Sequence, residues 1–134
     1  MAHIAKTVAL SVALFVVGAV SLTAQAVRAV PRISIDELKV LMDQKAVVVL
    51  DVREPAAFEQ GRIPGAINVN YTDVSANAGR FAGETRTIVA YCACSREMTA
   101  ARAAVDLAAA DVPGAKALLG GWDEWVARGE KVER

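Results

Sequence analysis

Two thiols lie one residue apart in the run Tyr91-Cys92-Ala93-Cys94-Ser95-Arg96-Glu97-Met98-Thr99, and they are the only cysteines of the 134-residue chain. Thr87 to Tyr91, just before them, is a short apolar run rich in β formers, and the residues from Met98 onward are strong helix formers. Cys92 therefore stands where a buried strand hands over to a helix. At such a junction the first amides of the helix have no intrahelical acceptor, and the helix dipole favours an anion. A thiolate is such an anion. A helix end in a partly buried geometry supplies up to about 2 kcal/mol, enough to lower a pKa by about one and a half. Arg96 adds a fixed cation whose guanidinium fork suits oxyanions. Together these features predict a Cys92 that titrates well below a free thiol and acts as a nucleophile. The competing reading is a buried, inert cysteine at a strand end.

What the chain lacks is equally informative. Its one histidine, His3, lies at the extreme N-terminus. Ser-His-Asp hydrolysis, Cys-His proteolysis and a His-ligated metal all need an imidazole that the rest of the chain does not have. Two thiols cannot complete a tetrahedral zinc site within one chain, although a soft two-thiolate site for a copper(I)-like ion stays chemically open. The expectation is therefore no metal and no organic cofactor. A Cys92–Cys94 disulfide would close a very small ring, removing little chain entropy, and would be labile rather than structural.

The elements that must position these residues follow a leader. Thr7 to Val27 holds no charged residue, Lys6 precedes it, and Ala24-Gln25-Ala26 is an A-x-A cleavage pattern. Residues 1–26 thus read as a signal peptide, with an uncleaved membrane anchor as the alternative, because the run is about long enough to span a bilayer. Either reading places the domain, residues 27–134, outside the cytoplasm. Without Lys6 that domain has 14 basic and 15 acidic side chains in 108 residues, which lacks the basic footprint that nucleic acid requires. Its length suits one core, and it is expected to be a monomer.

Ser34 caps a predicted helix over Ile35 to Asp43, with Asp36 and Glu37 in the first turn. Val47 to Leu50 is a continuous β-branched run ending at Asp51, the pattern of a strand covered on both faces. Glu54-Pro55 opens a short helix through Phe58, and Ala66 to Val69 reads as a short strand. Residues 71–84 read as a loop with a short helix. After the central strand come a helix over about Glu97 to Ala109, a strand near Lys116 to Leu118, and a last helix from Trp122 to Arg128. Strands alternating with helices give an α/β fold with a mainly parallel sheet, in which ligands bind beyond the carboxyl ends of the strands. Cys92 and Asp51 both stand at such ends.

Four blocks in this order resemble the rhodanese-like domains over about Ile33 to Val132. They are Leu50-Asp51-Val52-Arg53-Glu54-Pro55 with Phe58, Gly61-Arg62-Ile63-Pro64-Gly65-Ala66-Ile67-Asn68, Val89-Ala90-Tyr91-Cys92, and Leu119-Gly120-Gly121-Trp122 with Trp125. The resemblance implies a three-layer fold, a five-stranded mainly parallel sheet with helices on both faces, and a cysteine that carries sulfane sulfur as a persulfide. Cys92 matches that cysteine, and Ala93, Cys94, Ser95, Arg96, Glu97, Met98 and Thr99 match the substrate-binding loop. The implied partners are a small sulfur donor and a thiol or cyanide acceptor, including a protein thiol. Two departures stand out: Arg62 replaces a usual histidine, and the loop is similar to a Cys-x-Cys-x-x-Glu variant, one residue longer than the common form if Thr99 matches its serine.

Within that loop several roles compete. Ser95 either donates to an oxyanion or caps the helix. Glu97 is either a dipole-compatible surface acid or a charge that repels doubly charged donors in favour of persulfides. Cys94 either resolves a persulfide on Cys92 or fills the loop. Asp51 and Arg53 are expected to pair with each other or with loop groups, as support behind the site. The rival functions are a non-catalytic binding module and a thiol redox protein using both cysteines. A phosphatase would need an arginine six residues after the cysteine, where this chain has Met98.

Overall fold

The computed structural model describes residues 22–134, so the leader expected over residues 1–26 lies largely outside the described residues. Among the described residues no helix is long and apolar enough to cross a membrane. Residues 22–29 are helical (α1). They are followed by β1 (Arg32–Ile33), α2 (Ile35–Asp43), β2 (Val47–Asp51), α3 (Pro55–Gln60) and β3 (Ile67–Asn68). A 3-10 turn (Tyr71–Asp73), α4 (Val74–Asn77) and a second 3-10 turn (Ala78–Phe81) occupy the stretch expected to hold one short helix. The chain closes with β4 (Thr87–Tyr91), α5 (Met98–Ala109), β5 (Lys116–Leu118) and α6 (Gly121–Ala127).

Ser34 caps α2 as its sequence implies: its hydroxyl accepts from the Glu37 amide while the Glu37 carboxylate accepts from the Ser34 amide. The strands form one sheet in the order β1-β5-β4-β2-β3, and every pairing is parallel. The expectation of a mainly parallel sheet thus becomes an entirely parallel one. β1 has only two residues and no strand pattern of its own. It is a strand because Arg32 and Ile33 pair with Ala117 and Leu118, partners too far along the chain for a two-residue segment to announce.

Side chains alternate across a strand, so the two faces of β2 and β4 are read by parity. Val48, Leu50, Val52, Ile88, Ala90 and Cys92 pack on one face, against α5 and Val27 of α1. Val49, Val89 and Tyr91 pack on the other, with Ile35, Leu38, Ile63 and Trp125. The helix that follows Cys92 buries Ala100, Ala101, Ala103 and Ala104. Four small side chains let its backbone lie close to the sheet, on the same face as the Cys92 sulfur.

On the opposite face, at the carboxyl ends of β2 and β4, lies the chain's buried charge. Asp51 is completely buried. Its carboxylate accepts from the Arg53 amide at 2.9 Å, from the Arg53 guanidinium at 2.6 to 3.1 Å, and from the Tyr91 hydroxyl at 2.5 Å. The Tyr91 oxygen in turn accepts from the Ile63 amide at 3.2 Å. Burial and then the Asp51 carboxylate hold the Tyr91 phenol protonated, far above its ordinary range. Tyr91→Phe leaves the Ile63 amide unpaired and removes one of the Asp51 donors. It is expected to destabilise the fold by about 1–3 kcal/mol, read as a lower denaturant midpoint with an unchanged slope; an unchanged midpoint would show that the hydroxyl is dispensable.

Candidate active site

β4 ends at Tyr91 and α5 begins at Met98, so residues 92–97 form the connecting loop. The N-cap of α5 is Glu97, in the left-handed conformation with φ 49°, and no side chain caps the helix. Of the two roles open to Ser95, donor to an oxyanion or helix cap, the second is not taken: Ser95 is exposed on the loop. A left-handed residue at this point reverses the loop, and α5 starts directly after it at Met98, where the strong helix formers begin.

Two contacts fasten the loop to the turn before α6. The Trp122 amide donates to the Cys92 carbonyl at 2.9 Å, and the Gly120 amide donates to the Glu97 carboxylate at 2.8 Å. Glu97 is therefore neither a free surface acid nor a charge pointed only at solvent; its carboxylate clamps the loop. Gly121, at φ 54°, sits so close that a Cβ there would come within 2.4 Å of the Cys92 carbonyl oxygen and 3.2 Å of that of Cys94. Only glycine fits this contact.

The two sulfurs face each other. Cys92 Sγ lies 3.2 Å from Cys94 Sγ, with Cys92 buried and Cys94 exposed, and both are free thiols. The backbone of Ala100, in the first turn of α5, favours the Cys92 thiolate, as the strand-to-helix handover implies. It does not win. Burial, followed by the hydrogen bond to the Cys94 thiol, pushes Cys92 from an ordinary 9.0 up to about 11. The expected acidification is thus reversed, because desolvation penalises the charged form more than one or two backbone amides favour it. Arg96 does not supply the missing cation: it is exposed and forms no hydrogen bond or ion pair among the described residues. Ala93 and Met98 are also exposed, and Thr99 is half-buried.

Asp51 and Arg53 pair with each other, on the face of the sheet opposite the Cys92 sulfur. Their link to the loop is indirect. The Arg53 guanidinium lies 4.2 Å from the centre of the Trp122 ring, and it is the Trp122 backbone that holds the Cys92 carbonyl. Tyr91, Gly121 and Trp122 thereby join the site's framework. Their signal in the sequence is that Tyr91 precedes the cysteine and Gly120-Gly121-Trp122 opens the last helix. Among the described residues no group of three or more acidic, histidine or cysteine side chains could hold a metal ion.

This geometry, a cysteine at the carboxyl end of the central strand under a loop tied to a Gly-Gly-Trp turn, agrees with the sequence match. The family model of the Rhodanese-like domain covers residues 34–128. The chain belongs to the rhodanese-like family. Among solved structures, the rhodanese-like domain of an Anabaena sp protein is 27% identical, with a TM-score of 0.67 over 77% of this chain and 78% of that one. The human single-domain sulfurtransferase is 21% identical, with a TM-score of 0.61 over 75% of this chain and 98% of its own. A Rhodopseudomonas palustris protein described as of unknown function and a possible tyrosine phosphatase is 22% identical, with a TM-score of 0.72 over 83% and 90% of the two chains. The last two share the rhodanese-like fold with this chain at identities that carry no activity across. A comparison with curated proteins finds no match.

The balance at Cys92 gives a pH dependence. Because the neutral thiol is the favoured form, its thiolate fraction grows about tenfold per pH unit until pH nears 11. Alkylation of Cys92, followed by peptide mass spectrometry, is expected to accelerate accordingly without a plateau below pH 10. Cys94→Ala removes a hydrogen bond that raises the value and should bring the midpoint down. A wild-type midpoint below 8 would mean that the helix terminus prevails over burial.

Proposed function

We propose that this rhodanese-like domain is a sulfurtransferase that carries sulfane sulfur as a persulfide on Cys92 and passes it to a thiol or cyanide. The observation that carries the reading is the position of Cys92. It is the cysteine at the carboxyl end of the central strand, packed on the face of the sheet that α5 covers. In the transfer, the Cys92 thiolate attacks the outer sulfur of a donor, an S–S bond forms, and the donor leaves as sulfite or a thiolate. The acceptor then attacks the outer sulfur of the persulfide and regenerates Cys92. Loop amides and the first turn of α5 stabilise the developing charge.

The high thiol value bears on rate rather than on mechanism. A rise of about two costs roughly a hundredfold in thiolate, while the more basic sulfur regains about tenfold in intrinsic nucleophilicity. Slow transfer at neutral pH, faster in alkaline solution, is the consequence. Phosphate-ester hydrolysis fits poorly, since the sixth residue after Cys92 is Met98 and the loop's one arginine, Arg96, points to no acidic or anionic group of the protein. Cys92→Ser is expected to abolish formation of thiocyanate from thiosulfate and cyanide, because a hydroxyl is a far weaker nucleophile. Equal thiocyanate formation by wild type and Cys92→Ser, or none by both the wild type and Cys94→Ser with thiosulfate or any persulfide donor, would defeat the proposal and leave a binding module.

The same proposal places the domain outside the cytoplasm. Supporting it are the uncharged run and the Ala24-Gln25-Ala26 pattern, together with the burial of the described residues around it: 22–25 are exposed, whereas Val27 is buried in the core. Cleavage before Val27 would remove the exposed part and keep the packed part. N-terminal sequencing of the protein from its native host is expected to begin at Val27. Recovery of the intact Met1 chain from the soluble cytoplasm would refute export.

A further inference from the structure

The arrangement of the two sulfurs assigns a role to Cys94 that rests on the sulfurtransferase reading and extends it. We infer that Cys94 resolves the Cys92 persulfide by attacking its inner sulfur, so that the domain releases sulfide and is left as a Cys92–Cys94 disulfide. A thiol beside a persulfide has two targets, and distance separates them. In-line attack on the outer sulfur needs the attacking atom roughly 5 Å from Cys92 Sγ, an S–S bond of about 2 Å plus an approach of about 3 Å. In-line attack on the inner sulfur needs it about 3–3.5 Å away. The observed separation is 3.2 Å. Cys94 is placed for the inner sulfur and too close for the outer one.

The spacing is enforced by contacts on both sides of the pair. The Cys92 carbonyl is held by the Trp122 amide, and both cysteine carbonyls rest on Gly121. The Glu97 amide donates to the Cys94 carbonyl at 3.4 Å while its carboxylate accepts from Gly120. The loop is thus fixed at Cys92, Cys94 and Glu97. Among the described residues there is no third thiol to compete.

In the step itself, the Cys94 sulfur forms a bond to Cys92 Sγ, and the bond from Cys92 Sγ to the outer sulfur breaks. The electron pair of that bond leaves with the outer sulfur, and the proton released by Cys94 completes it as hydrosulfide. The two thiols are oxidised to a disulfide and the sulfane sulfur is reduced to sulfide, so electrons balance without an external oxidant. Return to the dithiol requires an external dithiol reductant, which reaches the pair through the exposed Cys94 sulfur. The ring closed by three residues gains little from chain entropy, so the disulfide yields readily to such a reductant.

The test is a single turnover without reductant, using thiosulfate and, in parallel, glutathione persulfide, with sulfide measured colorimetrically and the chain by intact mass. Wild type is expected to release about one equivalent of sulfide and to lose two hydrogens. Cys94→Ser and Cys94→Ala should release none, gain one sulfur atom that maps to Cys92, and deliver it to added cyanide. If wild type retains the extra sulfur and releases no sulfide, the resolving role is overturned while the sulfurtransferase stands. If neither wild type nor the Cys94 variants gain sulfur or release sulfide with either donor, the sulfurtransferase reading fails and the resolving role with it. Sulfide release equal in wild type and both Cys94 variants would also overturn the inference, because the attacking thiol would then be another molecule's.

Discussion

The Asp51 carboxylate is the constraint to which the carboxyl edge of the sheet is fitted. A fully buried charge costs several kcal/mol unless paired and hydrogen-bonded, so everything around it must supply donors. Arg53 provides its amide and guanidinium from β2's own continuation, and Tyr91 provides its hydroxyl from the neighbouring strand. Arg53 also donates to the Gly61 carbonyl at 2.7 Å, and Tyr91 accepts from Ile63, so the segment leading to β3 is tied to the same point. Burial works against the Arg53 charge, and the Asp51 carboxylate more than offsets it. A pair of this kind adds little to stability against a well-packed apolar substitute, but losing one partner is costly. Its effect is to fix geometry.

That geometry reaches the cysteine across the sheet. The Arg53 guanidinium lies between the carboxylate and the Trp122 ring, Trp122 also stacks on Tyr91 at 6.4 Å, and the Trp122 amide holds the Cys92 carbonyl. Asp51 and Arg53 thus support the site without touching a reacting atom. Gly61 belongs to the same assembly, since a Cβ there would meet Val132 at 3.1 Å and the Trp122 ring at 3.4 Å. The glycine lets the indole approach that segment closely.

At Cys92 itself two effects oppose each other, and burial is the larger. The alanine-rich face of α5 lets the helix approach the sheet until its first turn reaches the sulfur, which favours a thiolate. The same close approach excludes water, which favours the thiol, and Cys94 adds its own hydrogen bond to that side. Tight packing therefore produces both the anion-binding element and the larger penalty against the anion. The loop places the Cys94 sulfur 3.2 Å from that of Cys92, so the pair shares a proton environment that a single cysteine would not have.

Much of this was legible in the sequence. Continuous β-branched runs at Val47 and Thr87 announced buried parallel strands, the Ser34–Glu37 box announced α2, and four ordered blocks announced the family, because each depends on residues near one another in the chain. The two-residue β1, the left-handed Glu97 and the succession of short turns at residues 71–81 were not, since each is decided by partners distant in sequence. The sequence by itself determined which strand ends in a cysteine, and strand parity then determined the face its sulfur takes. Only the tertiary structure decided the sign of its pKa change and its 3.2 Å separation from Cys94. Both depend on how closely α5 lies on the sheet and on a hydrogen bond between Glu97 and Gly120, groups 23 residues apart that no local pattern brings together.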